Sequence, residues 1–266
     1  MNREYALALN DLYLSVLNWP IWSRLGWMEI RRRYRRTLLG PFWTSFNVAV
    51  MVFSMGFLWA ALFNQPVARY MPYLTAGTVT WQLIATFVNE GSNTFISNSG
   101  LLTTMQIPKI MLIFTVVWRN IIVFFHNLAI YLVVMLLWQI PVTKYSPLFL
   151  LGLLLLSLNG CWIAIVVAVV GARFRDIPQL LGGLVTIAMF LTPVMWERTI
   201  LAKDAAILRV VDYNPFYHLV EVVRAPLLGE MPRTLSWVVV TLMIPTGFAF
   251  ALWVFSRFRR RITFWL

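Results

Sequence analysis

Charge is scarce in this chain, and acid is scarcer: of 266 residues 12% are charged, with 10 Asp and Glu against 22 Lys and Arg, while 60% are hydrophobic. Soluble domains carry roughly 25% charged residues, so this is membrane composition. A mean hydropathy of +0.75 leaves too little polar surface for a soluble nucleic-acid binder, despite a net charge of +12. The single cysteine, Cys161, lies in an apolar run and excludes both an internal disulfide framework and a thiolate metal site. Histidine is limited to His126 and His218 in distant segments, which suits satisfied structural roles and supplies no ligand set for a catalytic metal. No Gly-x-x-x-x-Gly-Lys-Ser/Thr run occurs, so nucleotide phosphates are not cradled by a P-loop and any ATP is hydrolysed by another subunit. The expectation is a chain that binds no cofactor itself. The start, MNREYALALNDLY, lacks a basic region followed by an apolar stretch and a small-residue cleavage site. No cleaved signal peptide is expected, and the first membrane span does the targeting.

What is abundant is apolar length. A helix needs about 20 mainly apolar residues to cross a hydrocarbon core of about 30 Å. Six candidate spans appear: Phe42 to Phe63, Tyr73 to Val88, Ile110 to Trp138, Leu148 to Val170, Leu180 to Trp196 and Leu235 to Phe255. The expected fold class is therefore an all-α integral membrane protein of six transmembrane helices, one domain over residues 1–266. The second span is short and rich in threonine, and the fifth is short and ends in Thr-Pro-Val-Met-Trp. Pro193 and Pro245 are tolerable in membrane helices, where neighbours satisfy freed backbone groups. None of the ten carboxylates falls inside a span, which argues against a permease powered by its own coupling ion. Arg119 is the one charge well inside a span. It either lines a substrate path, or the span starts later and Arg119 snorkels to the interface.

Lys and Arg asymmetry sets the orientation. Arg3, Arg24, Arg31, Arg32, Arg33, Arg35 and Arg36 precede the first span, and Arg257, Arg259, Arg260 and Arg261 follow the last. Both termini read as cytoplasmic, which requires an even number of spans, and most of the positive charge is then a positive-inside signature with no nucleic-acid partner. The loop from Glu197 to Arg233 falls on the outer side, and its five cations balance five acids.

Three segments outside the plain spans carry information. Trp19 to Arg36 reads as an interfacial helix, with Trp27, Ile30 and Tyr34 on one stripe and Glu29 able to pair with Arg33. It also reads as a basic flank on anionic headgroups. Glu90 to Lys109 is a polar cytoplasmic segment too long for a tight turn, with a short helix expected around Asn93 to Leu102. The outer loop, about 197–233, holds too many charges to span and too many apolar residues to float freely, so short re-entrant or interfacial helices are expected there. Within it, Glu221 and Arg224 at i,i+3 read as a helix-surface pair.

Three ordered motifs resemble the ABC-2 type permeases of bacterial polysaccharide exporters: Arg31-Arg-Arg-Tyr-Arg-Arg-Thr-Leu-Leu-Gly-Pro-Phe-Trp43, Arg173-Phe-Arg-Asp-Ile-Pro-Gln179, and Asn214-Pro-Phe-Tyr-His-Leu-Val-Glu-Val-Val-Arg224. The pattern is most similar to the O-antigen and teichoic-acid branch, with capsule permeases as close relatives. The resemblance implies a homodimer of six-span subunits in the bacterial inner membrane, an N-terminal interface helix, and re-entrant helices between spans five and six. It also implies two separate ABC ATPase subunits that carry ATP and Mg, and a lipid-linked polysaccharide as substrate. The arginines Arg31, Arg32, Arg33, Arg35 and Arg36 suit a lipid diphosphate headgroup and equally satisfy positive-inside. Docking of the ATPase is expected at Asn93, Phe95, Asn98 and Leu101, with Arg173, Arg175 and Asp176 as a second contact. An outer gate is expected at Asn214, Pro215, Tyr217, Glu221 and Arg224. For the path itself, Phe46, Tyr73, Trp81 and Trp196 can hold sugar faces by stacking, with Arg119 beside them.

Two rivals come from other classes. A membrane-embedded glycosyl or acyl transferase needs a carboxylate or histidine facing its substrate, which only the outer loop offers. A solute permease or channel with its own coupling ion is opposed by the acid-free spans. Co-purification of an ATPase separates these readings from the exporter.

Overall fold

The computed structural model describes every residue except 1, 2, 36, 38, 39, 41 and 199–204, together with the side chains of 205–207. Among the described residues the regular structure is helical throughout. The helices are α1 (Arg3–Leu17), α2 (Trp19–Tyr34), α3 (Phe42–Leu62), α4 (Val67–Ser97), α5 (Ser99–Thr104), α6 (Lys109–Leu137), α7 (Leu148–Arg173), α8 (Ile177–Leu191), α9 (Ala205–Tyr213), α10 (Pro215–Leu227) and α11 (Thr234–Trp265). Four of them, α3, α6, α7 and α11, are long and apolar enough to cross a membrane. These coincide with four of the expected spans because an uninterrupted apolar run admits no other satisfied backbone in lipid.

The expected second span is only the middle of α4. At 31 residues α4 is about 46 Å long. It absorbs the first part of the polar segment expected as a loop, so the separate helix over Asn93 to Leu102 is corrected to the end of α4 followed by α5. The reason is local satisfaction: Ser92, Asn93, Thr94 and Asn98 each bond to a backbone carbonyl three or four residues earlier, keeping a polar run helical. The expected fifth span is also displaced. Its helix, α8, starts at Ile177 and stops at Leu191, because Thr192 takes an extended conformation before Pro193. At 15 residues α8 reaches only about 22 Å.

α4 lies at the centre, packed between α6 and α7, with Phe87 and Phe95 fully buried. Small residues let the backbones meet: a Cβ on Gly171 would stand 2.2 Å from the Ser92 carbonyl oxygen, and one on Gly152 2.1 Å from that of Val222. The second contact seats α10 on α7, so the segment between α8 and α11 is packed into the bundle.

α1 belongs to no expected element. Its Asp11, fully buried, accepts the Ile110 N–H at 3.0 Å and Arg259 Nε at 3.0 Å, fixing the start of α6 to the end of α11. α11 itself continues through Trp265, ten residues past the expected boundary at Phe255.

Candidate functional site

The described residues with chemistry gather at the two ends of the bundle. At the end away from the termini, α10 is launched by Asn214, whose Oδ1 accepts the Phe216 N–H at 2.9 Å while its Nδ2 donates to Thr192 Oγ1 at 2.9 Å. Pro215 follows at the first helical position, where the missing N–H costs nothing. α10 then presents Tyr217, Glu221 and Arg224 to the first turns of α4. Arg224, 3% exposed, donates to the Pro193 carbonyl and to Glu221 at 2.8 Å, and its guanidinium lies 4.1 Å over the Tyr73 ring. The Tyr73 hydroxyl is shared between the carbonyls of Pro193 and Trp196, at 3.1 and 3.0 Å. Tyr70 donates to the Met195 carbonyl. The carbonyls of Pro193, Met195 and Trp196, past the break in α8, are thus met by tyrosines and an arginine, and the Phe190 carbonyl by Trp196 Nε1 at 3.0 Å. A cavity of about 320 Å³ opens beside them, lined by Arg69, Tyr73, Glu197, Tyr217, Glu221 and Arg224 among others.

The structure therefore brings together Tyr73, Trp196, Asn214, Pro215, Tyr217, Glu221 and Arg224. It corrects the surface reading of the Glu221 and Arg224 pair, since Arg224 sits on the packed face of α10. Trp81 does not join them: it is 3% exposed, its ring edge-on to Phe216 at 5.7 Å, because α4 is enclosed at that level. It lines no path within this chain. Phe46 also stands apart, half exposed on α3 beside Trp43.

Beside this cavity Asp212 takes Arg198 at 2.8 Å and Arg233 at 2.6 Å. Burial pushes its carboxyl up, but the hydrogen bonds from Arg233 and Arg198 outweigh it, and the group lies below the usual carboxylate value. His218 bridges Ser236 Oγ at 2.9 Å and the Asp212 carbonyl at 2.8 Å, a structural position.

At the end carrying the termini, Arg119 is held in an ion-pair network. Its side chain, 12% exposed, is paired with Glu29 of α2 and with Glu90 of α4 at 2.6 Å. Glu90 also accepts Asn120 Nδ2 at 2.8 Å and Arg33 at 3.2 Å. The expected Glu29 to Arg33 pair along α2 is thus replaced by two pairs reaching into the bundle. Sequence reading missed this because the partners are 90 and 29 residues from Arg119. Of the arginine set, Arg33 is engaged with Glu90, whereas Arg31, Arg32 and Arg35 are exposed; Arg36 lies outside the described residues. Next to the network is a cavity of about 260 Å³ whose walls include Gln82, Asn89, Asn120 and Asn127.

The expected docking residues divide. Phe95 is fully buried and is corrected to a core residue. Asn98 bonds back to Thr94 and Leu101 is half-buried, while Asn93 and the stretch Thr103 to Gln106 are exposed. Arg173 stacks on Phe174, Phe258 and Trp265 at 4.9, 5.8 and 5.7 Å, tying the corner after α7 to the end of α11, and leaves Arg175 and Asp176 exposed.

The sequence model of the family described as ABC-2 type transporter matches residues 22–228 of the chain. The O-antigen export system permease protein RfbA of Myxococcus xanthus is similar, with 24% identity over 191 residues, which is 72% of this chain and 74% of that protein.

Proposed function

Because the chain belongs to the ABC-2 type transporter family, we propose that it is the membrane subunit of an ATP-driven exporter that moves a lipid-linked, O-antigen-type polysaccharide out across the bacterial inner membrane. The observation that carries this reading is the likeness to an O-antigen export permease over nearly three quarters of both chains. ATP and Mg belong to two partner ATPase subunits, and this chain contributes no catalysis of its own. Export of capsule or teichoic-acid chains is the neighbouring reading.

The arginine-rich end is the cytoplasmic face in this proposal, by the positive-inside rule. Six crossings follow if α4 and α8 join the four apolar helices, α8 completing its short passage through residues 192–196. A second copy forms the path with this one. In support, α8 has no fully buried residue and shows Leu180, Leu184, Ile187 and Leu191 outward. The path passes between the copies, with the Tyr73 and Arg224 cluster at its outer mouth, and α5 with the corner at Arg175 and Asp176 receives the ATPase.

Co-purification and reconstitution test the assignment. Wild-type chain is expected to retain an ABC ATPase, and Leu101→Asp or Met105→Asp to reduce that retention while leaving the permease folded. Deletion of the gene is expected to leave lipid-linked polymer on the inner leaflet. Normal polymer at the surface of the deletion strain would remove the export reading, and full ATPase retention by both variants would remove the docking assignment.

A further inference from the structure

The end carrying the termini holds a basic cleft that neither the Arg119 network nor the docking surface uses. α1 and the last turns of α11 wall a cavity of about 510 Å³ lined by Glu4, Tyr5, Trp253, Arg257, Arg260 and Arg261. One of its guanidiniums is neutralised, Arg260 lying 2.7 Å from Glu4. Arg257 and Arg261, one helical turn apart on the same side of α11, make no ion pair among the described residues. Three cations against one carboxylate leave the cleft strongly positive.

Its walls are fixed. Arg259, on the other side of α11, is bound at 3.0 Å by the fully buried Asp11 of α1, so the two helices are locked together behind the cleft. Beneath the arginines, Phe250 and Trp253 stack with centroids 6.1 Å apart and planes at 25°, and both are at least half exposed. Positions 250, 253, 257 and 261 form one column along the helix. Since α11 crosses the membrane, that column sets an apolar platform below two guanidiniums at the level where the apolar stretch ends. The positive-inside rule calls for arginines near this surface, but not for a cleft with an aromatic floor and a second helix as its wall.

We propose that this cleft binds a lipid-borne phosphate, with Arg257 and Arg261 taking the phosphate oxygens and the Phe250 and Trp253 pair supporting the chain below it. Guanidinium forks match phosphate geometry, and basic pockets between helices at this depth suit anionic headgroups. Two lipids present that chemistry: an anionic glycerophospholipid of the leaflet and a polyprenyl phosphate carrier.

Native mass spectrometry of the delipidated full chain, titrated with phosphatidylglycerol, undecaprenyl phosphate and phosphatidylethanolamine, tests the site. At least one anionic lipid is expected to be retained about tenfold better than phosphatidylethanolamine, since charge-assisted bonds to a net anion are the strong ones. Competition between the two anionic lipids identifies the source. Arg257→Gln with Arg261→Gln is expected to bring retention down to the phosphatidylethanolamine level, and Trp253→Ala to lower it severalfold. Arg24→Gln, an exposed arginine of α2 outside the cleft, is expected to change nothing. Equal retention of all three lipids, or equal loss in Arg24→Gln, would overturn the site in favour of diffuse attraction. Displacement of the lipid by inorganic pyrophosphate in the wild type would overturn the role of the aromatic floor, and needs no variant to fold.

Discussion

Replacing Arg119 with leucine removes the shared partner of two acids, and its consequence can be worked from the geometry. Arg119, Glu29 and Glu90 are 12%, 27% and 25% exposed, so water reaches the acids but hardly the guanidinium. Glu90 keeps Arg33 and Asn120, whereas Glu29 loses its ion pair. Breaking a buried pair from one side costs about 3–5 kcal/mol. The partial hydration of Glu29 places this case at the low end, about 3 kcal/mol, which raises the population of a detached α2 by about 100-fold. The remaining hold on α2 is the half-exposed Arg33 to Glu90 pair and close packing: Trp22 edge-on to Phe114 and Trp118, and Gly26 close against the Thr115 carbonyl. Hydrogen exchange of the purified protein is the assay. Amides of Trp19 to Tyr34 are expected to exchange about 100-fold faster in Arg119→Leu, with α7 unchanged, because opening of a local unit follows its own free energy. Adding Glu29→Gln removes the orphaned charge and is expected to restore part of the protection. Unchanged exchange in α2, or equal acceleration throughout α7 and α11, would refute the idea that this network clamps α2 to the bundle.

Four further outcomes are expected. Arg224→Lys keeps the charge but cannot serve Pro193, Glu221 and the Tyr73 face at once, so surface polymer should fall severalfold and the melting temperature by a few degrees, both directly measurable. Asp212 has a folded-state pKa below its unfolded value of about 3.9. Its contribution is present in full above that value and is lost as pH falls through the folded one. Melting curves from pH 7 to pH 3 should therefore lose stability at the acid end, and Asp212→Asn should be less stable at pH 7 and flatter below. Gly171→Val should abolish accumulation of folded protein, since its Cβ would lie 2.2 Å from the Ser92 carbonyl oxygen. Gly100→Ala in α5 meets open space and should stabilise by about 0.4–1 kcal/mol.

The four helices α3, α6, α7 and α11 were legible because an apolar run long enough to cross lipid has one physical solution. The extension of α4 was not, since helical continuity there depends on side chains bonding back to carbonyls, a choice that composition alone reads as loop. Phe95 illustrates the same blindness: its neighbours Asn93, Thr94 and Ser97 are polar, yet its own side of the helix faces the core. Of the cluster at the α8 break, the residues Tyr73, Trp196, Tyr217, Glu221 and Arg224 could be nominated from type and motif. Their convergence could not, because it rests on where α8 breaks and on which face α10 buries. α1 was invisible for a related reason. Its one buried acid, Asp11, looks like any solvated aspartate until α6 and α11 are placed beside it.

α4 joins the two ends physically. Tyr73 and Glu90 stand on the same helix, about 26 Å apart at the rise of an α-helix. Between them α4 is packed on α6 and α7, with its Phe87 ring against Gly160 and its Gly91 against Ala164. A helix enclosed at that density does not bend locally, so displacement of one end is carried to the other as translation or rotation of the whole rod. The interior Pro72 lies on the far side of Tyr73 from Glu90, so the breakpoint it offers falls outside the stretch that links the clusters. At each end the rod is held by directional contacts, Glu90 to Arg119 and Arg33 at one and the Tyr73 ring under Arg224 at the other. Such contacts are either made or broken within about an ångström or two, whereas apolar packing slides. A push delivered through α5, which abuts the end of α4, would therefore have to break or re-form the Glu90 pairs and the Tyr73 to Arg224 stack together, or neither. That coupling is the property an ATP-driven gate requires of its two faces.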